Sequence, residues 1–153
     1  MLAIKSESLV KVYYHSFADQ LVSASKEATV DRGLINLIPE NNRFCNDDES
    51  ERIIALAYLS DEDDPKQKIE SFGWMVADYN ETLSFISTYK QLGLSVPVIS
   101  LGSVLKDDLR SHDYYLIISS DGDKVEVGFK QITKVPSGFA HLVVKNEAIY
   151  PII

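Results

Sequence analysis

Arg52-Ile53-Ile54-Ala55-Leu56-Ala57-Tyr58-Leu59, running on into Ser60-Asp61-Glu62-Asp63-Asp64-Pro65, is the stretch whose reading decides the fold. An apolar run this short fits a buried strand or a helix, because periodicity cannot separate the two over so few residues. As a helix it would be capped by Asn46, Asp47 or Asp48, with the acids of its first turn favoured by the helix dipole, and would run to Ser60. As a strand over residues 52–59 it would pass through an acidic loop at 60–68 to a returning strand at 69–79. The hairpin is favoured, since it sets Asp61 to Asp64 ahead of Pro65 in a solvated turn.

Upstream, Leu9, Tyr13, Phe17 and Leu21 recur every four residues, with Val10, Tyr14, Ala24 and Ala28 beside them. Lys11, Asp19, Ser23, Lys26 and Glu27 fall elsewhere, so the spacing predicts a helix over 7–29 that exits near Gly33. Val12 lies off that stripe. Residues 34–38 read as a short apolar segment stopped by Pro39. Downstream, Asp78 with Glu81 three positions on has the form of a capping box, and Leu83, Ile86 and Tyr89 continue a helical stripe toward Lys90 and Gly93. Residues 96–101 read as a strand, and Gly102-Ser103 as the start of a short helical or irregular segment to Arg110. Four more strands are expected at 114–119, 124–132, 139–144 and 148–152, separated by turn residues such as Asp121-Gly122 and Ser137-Gly138. Val125, Val127 and Phe129 alternate with Glu126, Gly128 and Lys130, the pattern of one buried face. The expectation is one α+β domain over residues 1–153, with N-terminal and central helices packed on a mainly antiparallel C-terminal sheet.

Composition agrees with one core. The chain has 153 residues, 45% hydrophobic and 25% charged, with seven Gly and five Pro, which is neither a disordered nor a fibrous profile. Its first residues carry no cationic region followed by a long apolar one, and the longest apolar run, residues 53–59, is far below the roughly 20 residues a helical span needs. A cytoplasmic protein without a membrane partner is expected. Cys45 stands alone in the sequence, which excludes an internal disulfide and a Cys-rich zinc site.

The charge is concentrated. Residues 47–64 hold eight acids and one base, a balance of −7 out of the chain's −8. Asp47, Asp48, Glu49 and Glu51 form one cluster, and Asp61, Glu62, Asp63 and Asp64 the other. Such a field attracts cations and repels nucleic acid and acidic substrates, although charge runs also serve solubility alone. Counted as a calcium loop from Asp61, the sequence has Lys66 where a glycine belongs and Phe72 where a bidentate glutamate belongs, so no metal is expected. His15, His112 and His141 are the only histidines, no Gly-x-Ser-x-Gly elbow occurs, and Cys45 precedes acids that disfavour its thiolate. No phosphate-cradling glycine motif occurs, so no catalytic residue and no cofactor is assigned.

These features point to a non-enzymatic acidic protein that binds and neutralises a basic protein. Its class would be that of an immunity protein against a nuclease toxin, or an inhibitor imitating nucleic acid. The expected docking residues are Asp47, Asp48, Glu49, Glu51, Asp61, Glu62, Asp63 and Asp64, with Phe72 and Trp74 as aromatic anchors. The alternative is a small enzyme or small-molecule-binding domain with a pocket between helices and sheet. A divalent-ion sensor is the third possibility.

Overall fold

The run that opened the question is a strand. In β4 (Glu49–Leu59) the consecutive residues Ile54, Ala55, Leu56 and Ala57 are all buried, which a strand achieves only when both faces of its sheet are covered. Ile54 and Leu56 enter the main core, whereas Ala55 and Ala57 face Ile69, Trp74, Val76 and Val143 in a second, smaller one. One apolar run thus feeds two cores by simple alternation. The structure is a computed structural model and describes residues 2–40, 49–59, 64–88, 94–109, 112–122, 124–134 and 138–146.

The N-terminal helix expected over 7–29 is corrected. β1 (Leu2–Tyr13) lies antiparallel to β4, from Leu2 opposite Leu59 to Tyr13 opposite Glu49, and α1 (Phe17–Ser25) begins only after it. A spacing of four residues misled because it is even: it keeps side chains on one face of a strand as well as of a helix. On β1 that face is the outer one, with Leu9 and Tyr13 exposed and Val10 and Val12 fully buried. Val12, the misfit in the helical reading, belongs to the true pattern. α1 starts where Ser16 Oγ accepts the Asp19 amide hydrogen at 3.2 Å, an N-cap that satisfies one orphan donor.

β2 (Thr29–Val30), a 3-10 turn at Arg32–Asn36 and β3 (Ile38–Glu40) follow. Gly33 sits inside that turn, and among the described residues the left-handed glycines are Gly73, Gly122 and Gly138. The hairpin expected at 52–79 holds only in its first strand. Asp64 and Pro65 open α2 (Pro65–Ser71), Gly73 turns the chain, and β5 (Trp74–Val76) pairs with β9 (Ala140–Lys145) rather than returning along β4. α3 (Tyr79–Thr88) is capped as expected: the Asp78 amide donates to Glu81 Oε1 at 2.8 Å and the Glu81 amide to Asp78 Oδ1 at 3.0 Å.

β6 (Val98–Lys106) does not stop at Gly102. It bulges between Ser100 and Leu105, three more residues than β7 (Asp113–Asp121) spends on the same interval. The bulge receives the entry to α3: Gly102 donates to the Ala77 carbonyl at 2.8 Å, Ser100 Oγ to the same carbonyl at 2.6 Å, and the Tyr79 amide to Ser103 Oγ at 2.9 Å. β7 and β8 (Lys124–Gln131) form an unbroken hairpin around Gly122. β9 leaves the expected meander, inserting between β4 and β6 and running parallel to β6. The strand expected at 148–152 lies outside the described residues.

Among the described residues the result is one α+β domain, three helices on a nine-stranded, mixed but mostly antiparallel open sheet of order β1-β4-β9-β6-β7-β8-β2, with β3 on β6 and β5 on β9. Strands span the chain and are not confined to its C-terminal half. α1 and α3 cover one face, filling the core with Phe17, Leu21, Leu83 and Ile86; α2 covers a small part of the other through Ile69. The exposed edge of β1 is guarded, because Ser6 at φ +62° marks a bulge and the Tyr13 amide is taken by Ser84 Oγ at 3.0 Å.

Candidate functional site

The described part of the first acidic cluster sits at the start of β4. Glu49 and Glu51 share a face and are exposed, with Glu51 directly opposite Lys11 of β1 and Lys11 Nζ 3.8 Å from Glu49 Oε1. Two glutamates therefore flank a single lysine. β4 is roughly 33 Å long at 3.3 Å per residue, and the second cluster follows it in the sequence.

Asp64 is that cluster's described member. Its carboxylate accepts the Gln67 amide hydrogen at 3.1 Å as N-cap of α2, with Pro65 in the first turn where its missing N–H costs nothing. Asp64 also lines a cleft of about 370 Å³ between α2 and the sheet, together with Lys66, Glu70, Leu101, Gly102 and Tyr115. Across the sheet this cleft is two to three strands from β4, so Asp64 does not share a patch with Glu49 and Glu51.

Phe72, at the exit of α2, is exposed, and the Lys68 ammonium stands 5.5 Å from its ring centroid. Trp74 is only 8% exposed and packs in the second core. Of the two expected anchors, Phe72 is presented to solvent and Trp74 is a packing residue. Asp47, Asp48, Asp61, Glu62 and Asp63 lie outside the described residues.

The sheet adds a surface that the sequence reading passed over. Leu116 and Ile118 of β7 enter the main core, so Tyr115, Ile117 and Ser119 face the other way. Ile117 and Ser119 line a second concavity of about 410 Å³ with Asp31, Glu126, Gly128 and Lys130. Tyr115 in one cleft and Ile117 in the other are i and i+2 on one strand, about 7 Å apart, so the two clefts adjoin. Their only sequence signal was the alternation of β8, which separates faces without saying that the outer one is hollow.

Polar groups near Tyr115 are mutually engaged. Lys106 Nζ bonds Asp113 Oδ1, and that hydrogen bond raises the lysine's pKa. The Tyr115 hydroxyl is raised first by burial and then by the Asp113 carboxylate, with Lys106 opposing, so it stays protonated near neutrality. The three histidines occupy different settings. His15 stacks on Tyr13 with ring centroids 5.9 Å apart, and His112 Nδ1 stands 3.5 Å from Asp107 Oδ2. His141 is buried in β9, its Nδ1 has no hydrogen-bond partner among the described residues, and desolvation lowers its pKa to about 4.

Among the described residues no group of three or more His, Cys, Asp or Glu is arranged to hold a metal ion, and no helix is long and apolar enough to cross a membrane. Comparison with protein-family models, curated proteins and solved structures gives no match.

Proposed function

We propose that the protein is a non-enzymatic acidic binder that occludes a basic protein, in the manner of a toxin-neutralising immunity protein or an inhibitor that stands in for nucleic acid. The observation that carries this reading is the placement of −7 of the chain's −8 charge within residues 47–64. Carboxylates there would occupy the positions at which a basic partner receives phosphates, and long-range attraction would speed encounter more than it strengthens the final contact. Asp64 at the rim of a cleft supports the second cluster, rather than both clusters together, as the principal contact.

The test is Asp61→Asn, Glu62→Gln, Asp63→Asn and Asp64→Asn combined. Asparagine caps a helix as well as aspartate, so α2 keeps its start while the charge is removed. A partner protein captured by the wild type should associate at least about tenfold more slowly with this variant, a difference that shrinks as salt shortens the Debye length. An unchanged association rate at low salt contradicts the reading.

A second reading has its own observation. The 370 Å³ cleft lies between a helix and the sheet and gathers Asp64, Lys66, Glu70 and Tyr115, which suits a small-molecule-binding domain. A metabolite that raises the melting temperature, with no basic protein captured, would favour it.

A further inference from the structure

We infer that the uncovered face of β6, β7 and β8 is a groove that receives an extended cationic segment of the partner protein, with Gly128 as its floor; this rests on the reading of the chain as a binder of basic proteins. Gly128 is the independent observation. It lies inside β8, where glycine costs stability and offers no side chain to pack. None of the usual structural reasons for a glycine applies. Its φ is not positive, the β7–β8 register runs without a bulge from Tyr114 opposite Gln131 to Asp121 opposite Lys124, and a Cβ built on it meets nothing within 4 Å among the described residues. Gly102 makes the contrast, since a Cβ there would lie 2.3 Å from the Ala77 carbonyl oxygen. What remains for Gly128 is room above the sheet for another backbone to approach closely.

The walls choose the occupant. Of the six charged residues lining the two adjoining clefts, Asp31, Asp64, Glu70 and Glu126 are acidic and Lys66 and Lys130 basic. A lysine or arginine suits them, because its aliphatic stem can lie on Ile117 and Leu101 while its charged head reaches a carboxylate. From Tyr115 to Ser119 the floor runs about 13 Å, the length of roughly four extended residues.

The experiment titrates a hexa-arginine peptide into the full chain at low salt, comparing wild type with Gly128→Phe. Phenylalanine favours strands and its Cβ enters open space, so the variant should melt with the wild type while filling the groove. The expected result is a loss of affinity of about tenfold or more. Amide shifts in the unsubstituted protein should move at Tyr115, Ile117 and Gly128, which decides the matter should Gly128→Phe fold poorly. Equal affinity for both proteins, with shifts confined to residues 47–63, overturns the groove and leaves the acidic binder standing. No binding to the wild type overturns both.

Discussion

Gly102 and Gly128 meet opposite requirements, and each yields a measurable consequence. At Gly102 the backbone of Ala77 and Asp78 passes so close that even a methyl group must displace main chain. Gly102→Ala should therefore cost on the order of 3 kcal/mol in urea unfolding, at the severe end of overpacking, whereas Gly128→Ala should be neutral or add roughly 0.5 kcal/mol. His141 sets a pH dependence. Its imidazole is buried and its pKa falls from 6.5 to about 4 on folding, so the unfolded chain takes up the proton first as the solution is acidified. Stability is full above pH 6.5 and is lost progressively down to about pH 4, amounting to about 2 kcal/mol by pH 5. Replacing His141 by Leu should flatten that part of the profile, and a slope between pH 7 and pH 5 identical to that of the wild type would assign it to other groups.

At the scale of elements, what was legible followed the strength of local signals. The Asp78–Glu81 box was readable because both halves of its reciprocal hydrogen bonding are written three residues apart in the chain, and the β7–β8 hairpin because Asp121-Gly122 and the Val125, Val127 alternation agree. The N-terminal strand was not, since a four-residue recurrence obeys both periods. α2 was hidden for another reason: only Ile69 of its seven residues is buried, so no stripe exists, and its start lay in Asp64-Pro65, which reads equally as a turn. Ile69→Ala should cost about 2–4 kcal/mol by opening the second core under Trp74. It should also loosen α2 while the main core holds, seen as faster amide exchange at 65–71 than in β7; uniform acceleration would show that the two cores unfold as one. The partnership of β9 with β4, β5 and β6 left no trace in local pattern, because strand order is settled by contacts distant in sequence.

For the whole molecule, charge and shape are distributed unevenly. Helices α1 and α3 bury one face of the sheet, and α2 shields only part of the other, leaving β6, β7 and β8 with adjoining concavities whose charged lining residues are mostly carboxylates. The acidic stretch was plain in the composition. That its described members divide between the start of β4 and the rim of the α2 cleft was not, because the apolar run between them gave no length until it proved to be a strand. The most direct measurement is capture from lysate of the native host by wild type and by the variant neutral at residues 61–64, at about 0.1 M and about 1 M salt, where the Debye length falls from about 10 Å to about 3 Å. We expect one basic protein held by the wild type at low salt and lost both in the variant and at high salt. The same proteins retained in all four conditions, or none of them basic, would contradict the acidic stretch as a docking surface.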